Sequence, residues 1–344
     1  MGIQTHFNKF HGKIKLGRED DAYKKARKRD DSIKKDVKAA FKDAGYPIVA
    51  DFIQGSLKTH TGIIPKSGDY DIDRALVIDG DTAPENPVTP KKTALEVLEN
   101  RGFKNAKIKK PCVTADYASD NVHIDLIIYK KSEDQHHLAV GKKNSDEDNR
   151  EWAAADPLGL MEWIADFSDY DDEADDARDQ FRRLTRYVKR WRDEQFTETV
   201  RPKVFSIGLT VMVKEHLVSS FSTEGASQDL EALRATVEAI LDAGYFDEEE
   251  DGKYRVRVDL PVEPYRDIFH GSALDTGTQL YNKLKHLAKQ LKKAEELSDE
   301  REQCEILNEL FGDDFEVPDP PKGGSNGKKA VYPTAGVVGH SDGA

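Results

Sequence analysis

Three aspartates sit where isolated carboxylates are seldom found, at the openings of two apolar runs. Tyr70-Asp71-Ile72-Asp73 leads directly into Arg74-Ala75-Leu76-Val77-Ile78, which has strand character. Alternate residues of a strand share a face, so Asp71 and Asp73 are expected to project together. Two carboxylates that close repel each other unless a cation lies between them. Asp125 opens the second run, His123-Ile124-Asp125-Leu126-Ile127-Ile128-Tyr129. If the two strands are neighbours, all three acids meet. Hard oxygen ligands of this kind suit Mg²⁺ or Mn²⁺, whose shells are completed by water and substrate phosphates. Two such ions, about 3.5–4 Å apart, activate an attacking hydroxyl and neutralise a leaving pyrophosphate. One would be shared by the three carboxylates and the other would arrive with a triphosphate, with Asp125 placed to help take the proton. Asp69 lies on the same face and is assigned to capping the preceding turn.

Gln54-Gly55-Ser56 supplies a second element. A glycine lets backbone approach a phosphate closely, and the following amides with the Ser56 hydroxyl form a cradle at a helix start. Asp-x-Asp alone also fits a solvated turn before a strand, and Gly-Ser alone says little. Their combination with a later strand aspartate is far more specific. A third element is the segment Phe181–Arg192, in which Phe181, Leu184, Val188 and Trp191 form an apolar stripe. Arg182, Arg186 and Lys189 align on another face, and in an acidic protein that concentration of positive charge suggests an anionic ligand. Salt bridges to the nearby acidic stretch Asp169–Asp176 would explain the arginines equally well. Lys189 and Ser206, the latter opening the apolar helix Ile207–Leu217, are the expected phosphate contacts of this half.

Positioning these groups requires two kinds of scaffold. Residues 19–46 read as one long helix, with Ile33, Val37, Phe41 and Ala44 at helical spacing and Gly45 as its stop. Apolar β-rich runs at Ile48–Phe52, Tyr70–Ile78 and Val122–Tyr129 flank a helix near Lys92–Arg101, which predicts a small sheet lobe over 1–150. From Glu151 the pattern becomes helical: Asp156-Pro157 opens one helix, and others are expected at 174–196, 204–219, 228–243, 274–297 and 299–311. The helical lobe is therefore placed at 151–317. Residues 318–344 lack periodicity, are rich in chain breakers and read as a mobile tail.

The balance of the chain narrows its class. Among 344 residues, 37% are hydrophobic and 34% charged, as in a soluble globular protein. A net charge of -13 argues against non-specific coating of nucleic acid, so no obligatory nucleic-acid partner is expected. Cys112 and Cys304 are too few and too far apart for a disulfide framework or a zinc site. No apolar run has the length of a membrane span and the first residues lack a signal-peptide core, so no membrane partner is expected and the cytoplasm is the expected location.

Together these residues resemble the bacterial cyclic-oligonucleotide synthases of CBASS anti-phage systems, relatives of cyclic GMP-AMP synthase and of the 2′-5′-oligoadenylate synthases, and come nearest to the bacterial cyclic GMP-AMP synthases. The resemblance runs through Gln54-Gly55-Ser56, Asp71-Ile72-Asp73, His123-Ile124-Asp125, Asp156-Pro157 before Trp163, and Lys189-x-Trp191-Arg192-Asp193. It implies an α+β fold: a polymerase-beta-like nucleotidyltransferase palm packed on a helical oligoadenylate-synthase-like lobe, with a central cleft and the long helix as spine. It implies Mg²⁺ or Mn²⁺ on Asp71, Asp73 and Asp125. The donor triphosphate is implied to rest on Gly55 and Ser56, with Lys189 and Ser206 gripping it from the second lobe. The implied reaction joins nucleoside triphosphates, ATP or GTP first, into a cyclic di- or trinucleotide, cyclic GMP-AMP being the leading expectation. Thr114 and Tyr117 are candidates for base choice. The tail ending Gly343-Ala344 is implied to meet a ubiquitin-transfer-like conjugating enzyme or a HORMA regulator. A template-free RNA-end transferase and a catalytically silent nucleotide-binding partner are the competing readings; the first needs a basic RNA surface, the second tolerates three acids without a use for them.

Overall fold

A computed structural model describes residues 2–17, 21–66, 70–117 and 122–320, without the side chains of residues 21, 22, 26, 70, 71, 117 and 122. The chain begins with helix α1 (Ile3–Ile14) and the spine helix α2 (Asp21–Asp43), followed by strand β1 (Ile48–Ile53) and the one-turn helix α3 (Gly55–Lys58). Strand β2 (Tyr70–Asp79), helix α4 (Val88–Asn100) and strands β3 (Lys107–Ile108), β4 (Val113–Tyr117), β5 (Val122–Ser132), β6 (Gln135–Val140) and β7 (Glu151–Ala155) complete the sheet lobe. Helices α5 (Pro157–Ala165), α6 (Ala174–Gln195), α7 (Ser206–Glu215) and α8 (Asp229–Asp242) follow. After the hairpin β8 (Phe246–Glu248) and β9 (Tyr254–Val256) come α9 (Leu274–Glu296) and α10 (Glu300–Phe311).

The sheet runs in the order β1-β2-β5-β4-β3, with β6 pairing the far end of β5 and β7 pairing β6. Its centre is the parallel pair β2–β5, and its other ladders are antiparallel. The pleat sorts β2 and β5 into two faces. Ile72, Leu76 and Ile78, with Ile124, Leu126 and Ile128, pack beneath α2 and α4 in one apolar cluster. Ala75 and Val77, with Ile127 and Tyr129, pack on the opposite face. Asp73 and Asp125 belong by alternation to this second face, away from the spine.

Arg74 points into the spine face. Its Nε donates to Asp30 Oδ1 at 3.0 Å, its Nη1 donates to Asp51 Oδ2 at 2.8 Å, and only 3% of its side chain is exposed. Burial opposes its charge, but Asp30 and Asp51 more than compensate and raise its pKa. A buried guanidinium bound this way ties α2 to the strand that carries Asp73.

The sequence pattern assigned no element ahead of residue 19, yet α1 buries Phe7, Phe10 and Ile14 in the helical core, where Phe7 and Phe10 lie 5.3 and 5.2 Å from the ring of Tyr187. The N-terminal helix therefore packs with the second lobe, although it precedes the first in sequence. The boundary at 151 is also early, because β7 extends the sheet to Ala155. Its run of small residues after Trp152 carries no strand alternation, so the pairing with β6, not local pattern, makes it a strand. The other helices begin and end within a few residues of their expected places. Residues up to 320 fold back on the helical lobe, Arg301 Nη1 donating to the Pro318 carbonyl at 2.8 Å. Among the described residues no helix is long and apolar enough to cross a membrane.

Candidate active site

The parallel register of β2 and β5 pairs Asp73 with Asp125 and Asp71 with His123. Partnered residues of parallel strands share a face and lie about one strand spacing apart, roughly 4.8 Å. The two carboxylates expected to converge thus do so by backbone pairing alone. The Asp71 backbone occupies its expected place in that register; its side chain lies outside the described residues, as does Asp69.

The Gly-Ser turn closes on Asp73. The Gln54 amide donates to the Asp73 carbonyl at 3.0 Å, and Gly55 follows with φ +66°, a conformation that favours glycine. A Cβ at Gly55 would stand 2.2 Å from Asp73 Oδ2, so the carboxylate uses the space that any other residue would fill. Ser56 opens the turn behind it. The Gln54 side chain, which opens this motif, is not among the groups lining the cleft: its Oε1 accepts from the Tyr129 hydroxyl at 3.2 Å, joining the end of β1 to β5.

Asp125 has a crowded polar setting. His123 Nε2 lies 3.1 Å and Lys109 Nζ 3.8 Å from its Oδ1, yet that buried oxygen completes no hydrogen bond. Burial opposes ionisation of Asp125, but polar contacts from His123 and Thr114 and the nearby Lys109 charge prevail and hold its pKa below the ordinary carboxylate value. His123 also meets Thr114 Oγ1 at 2.6 Å and the Asp116 carboxylate. Thr114 is itself buried and serves this cluster, not the cleft wall, while the Tyr117 side chain lies outside the described residues.

A cleft of about 580 Å³ separates the lobes. Gly55, Ser56, Asp73 and His123 line it from the sheet side, and Lys189, Arg192, Asp193 and Ser206 line it from the helical side. Leu160, Met161, Ile164 and Ile207 give it an apolar wall. The sharp turn into α5 that presents this wall is capped by Asp156, whose Oδ1 accepts from the Gly159 amide at 2.8 Å. Lys189 reaches across from α6, its Nζ donating to the Thr61 carbonyl at 3.0 Å and to Thr61 Oγ1 at 3.1 Å. Burial, with Arg192 and Arg186 nearby, pushes its pKa down to about 7. Ser206 begins α7, and its hydroxyl accepts from Arg192 Nη1.

Arg186 is not among the residues lining this cleft, although its place in the basic stripe suggested an anionic ligand. It bonds the carbonyls of Gly62 and His60 and lines a separate cavity of about 490 Å³ behind the loop. One turn of offset from Lys189 on α6 carries it past the cleft. Arg182 pairs with Asp179 at 2.9 Å, within the same helix. Sequence reasoning left out Arg192, Asp193 and His123, although all three stood inside the quoted motifs. Arg192 follows Lys189 by three positions, the spacing that puts two helical residues on one face.

The residues fit a divalent cation. Asp73 and Asp125 stand in register, a buried Asp125 oxygen lacks a hydrogen bond, and the backbone at Gly55 leaves Asp73 Oδ2 room where a side chain would intrude. Among the described residues no three His, Cys, Asp or Glu side chains cluster as a complete metal site. Asp71, the expected third donor, is excluded from that count by its undescribed side chain.

With the geometry in hand, the relatives fall into place. The profile of the nucleotidyltransferase domain of DncV-like cyclic GMP-AMP synthases matches residues 50–129, the segment from β1 to β5 that carries the Gly-Ser turn and both acidic strands. Over that segment the chain is similar to the DncV-like nucleotidyltransferases. A cyclic GMP-AMP synthase of Escherichia albertii is 29% identical over 177 residues, 48% of this chain and 37% of that protein, so the match spans little more than a third of the curated relative. The fold is that of several solved bacterial structures. Vibrio cholerae DncV in complex with the linear intermediate pppA(3′,5′)pG superposes with a TM-score of 0.67 at 16% identity, covering 92% of this chain and 97% of that one. Bradyrhizobium diazoefficiens CdnG in complex with GTP gives 0.66 at 15% identity, covering 91% and 96%. Escherichia coli CdnC in complex with a HORMA protein gives 0.65 at 15%, covering 92% and 98%. The chain thus has the expected α+β, polymerase-beta-like fold, a sheet lobe packed on a helical lobe.

Proposed function

We propose that this protein condenses nucleoside triphosphates, ATP and GTP first, into a cyclic oligonucleotide second messenger, with cyclic GMP-AMP as the leading product, in an anti-phage signalling system. The observation that carries the reading is the register of Asp73 against Asp125 at the mouth of a cleft with a cationic far wall. The E. albertii relative points to cyclic GMP-AMP, and the ligands of the DncV and CdnG structures point to purine nucleotides.

Asp71, Asp73 and Asp125 would hold divalent cations, Mg²⁺ or Mn²⁺; when bound, these would lower the pKa of the attacking hydroxyl and neutralise the pyrophosphate. The protein's own groups do the rest. Gly55 and Ser56 present amides and a hydroxyl to the donor phosphates from the sheet side. Lys189 donates from the helical side, giving up Thr61 to do so, and Ser206 offers its hydroxyl and the N-terminal amides of α7. The apolar wall of Leu160, Met161, Ile164 and Ile207 takes the base and keeps water from the reacting phosphate. Asp125, kept ionised by its polar neighbours, stands where the hydroxyl proton is released. A second pass through the same cleft closes the ring, since both linkages are one reaction. We further propose that the tail ending in Gly343 and Ala344, outside the described residues, engages a conjugating enzyme or a HORMA regulator. A HORMA complex is known for the CdnC relative. Deleting the last few residues is expected to abolish that engagement and leave synthesis intact; unchanged capture of the partner in cells counts against it.

Incubating the pure protein with the four ribonucleoside triphosphates and Mg²⁺, followed by phosphatase and mass spectrometry, tests the reading. A phosphatase-resistant cyclic product is expected. Extension of an added RNA would identify an end transferase instead, and the absence of turnover a silent binding partner.

A further inference from the structure

Arg186 is only 4% exposed, yet among the described residues every hydrogen-bond partner it has is neutral, the Asp179 carboxylate acting on it only through space. Its Nε donates to the Gly62 carbonyl at 3.1 Å and its Nη2 to the His60 carbonyl. Nη1 meets His11 Nε2 at 2.9 Å and the Arg182 carbonyl at 3.2 Å. Burial and the neighbouring arginines push the pKa of Arg186 down to about 10, as they push that of His11 down to about 4. A charge kept in so unfavourable a setting is there for its shape. The planar fork of a guanidinium reaches two carbonyls at fixed angles, which an ammonium cannot do.

Those two carbonyls belong to a loop that folds back on the Gly-Ser turn. The Thr61 amide donates to the Ser56 carbonyl at 3.0 Å and the Thr59 amide to the Gly55 carbonyl at 3.2 Å. Thr59 Oγ1 also donates to the Gly55 carbonyl at 3.2 Å and contacts Thr61 Oγ1 at 2.9 Å. On the cleft side Lys189 holds Thr61, a contact it must surrender to grip a phosphate. Arg186, on the other side of the loop, has no such competing duty. We propose that Arg186 is a positioning residue: it fixes His60 and Gly62 from behind, so that Gly55 and Ser56 keep their phosphate-binding geometry when Lys189 lets go of Thr61. The inference rests on the phosphate-binding role given to that turn under the proposed function.

The test uses the full chain with Arg186→Lys and Arg186→Met, and Arg182→Ala as a control one turn away. Three quantities are read: kcat and KM for the triphosphates, affinity for a fluorescent triphosphate analogue with Mn²⁺, and hydrogen exchange at residues 55–64. For Arg186→Lys, KM and analogue Kd are expected to rise roughly tenfold with kcat within about threefold, the signature of lost binding that is uniform along the reaction. Amides of Thr59 and Thr61 should exchange faster, while Arg182→Ala matches wild type. Unchanged KM, Kd and loop exchange in Arg186→Lys overturns the proposal. So does a lower melting temperature that reduces the active fraction with KM unaltered, which is what a staple between lobes alone would give. Wild-type protein without turnover would instead strike at the proposed function, and the Kd and exchange arms would still decide the role of Arg186.

Discussion

The acidic edge of the sheet and the basic stripe of α6 meet at the cleft through Lys189 alone, and they were built by different rules. On the sheet, period-2 alternation and a parallel ladder leave Asp73 and Asp125 no choice of face, so side-chain identity and spacing were enough to place them. On α6, the aligned cations Arg182, Arg186 and Lys189 went to three destinations: an aspartate one turn away, loop carbonyls behind the cleft, and Thr61 on its wall. Long side chains on a helix can reach neutral acceptors far away in sequence. A basic stripe therefore says that something electron-rich lies opposite, and backbone carbonyls satisfy it as well as phosphate does.

Perturbing each side should separate the two rules. The largest effect is expected at the acidic edge. Asp73→Asn or Asp125→Asn should lower turnover by roughly a thousandfold, about 4 kcal/mol of barrier, without loss of fold. Circular dichroism beside product quantification checks it, and a variant retaining a tenth of wild-type turnover would break the assignment. Next comes Gly55→Ala, which places a methyl 2.2 Å from Asp73 Oδ2 at a backbone φ of +66°. Displacing the turn is expected to cost on the order of a hundredfold in kcat/KM.

Arg74→Ala probes the scaffold instead of the chemistry. It leaves the buried Asp30 with Arg27 as its remaining ion-pair partner, and roughly 3 kcal/mol of stability, the low end for a broken buried pair, should go with the lost contacts, read as a shift in denaturant midpoint. An unchanged midpoint would mean that the spine does not depend on this cluster.

The smallest effect belongs to the basic side. Lys189 titrates near 7, below an ordinary lysine, so in the free protein its amine loses charge as pH rises through 7. Phosphate binding needs the charged form. Triphosphate KM is therefore expected to climb severalfold between pH 7 and 8.5, and the climb should vanish in Lys189→Ala. The stability linkage has the opposite sign: the cost of burying the charge is fully present below pH 7 and is relieved as pH rises toward the unfolded value.

How much of this was readable beforehand follows the same division. The helices α2 and α5–α10 announced themselves through apolar periodicity and caps such as Asp156-Pro157, and the two acidic strands through their apolar runs. The short strands β3, β4, β6 and β7 did not, because ladder partners and not composition define them. The helix α1 was missed although Phe7, Phe10 and Ile14 stand at helical spacing, and its place in the second lobe depends on contacts with α6 and α10 that no local pattern contains. Type and spacing were enough to nominate Asp73, Asp125, Gly55, Ser56, Lys189 and Ser206 as candidates that the fold brings to one cleft or its edge. Arg186 and Gln54, nominated with them, turn instead to loop carbonyls and to Tyr129, because a side chain's reach is set by what surrounds it in three dimensions.

The central claim is that carboxylates from two neighbouring parallel strands trap divalent cations against a triphosphate. Counting Mn²⁺ bound per chain by electron paramagnetic resonance, with a non-hydrolysable triphosphate present, tests it without relying on turnover. The account predicts two tightly bound ions in the wild type and loss of at least one in Asp125→Asn; equal occupancy in both proteins would contradict it.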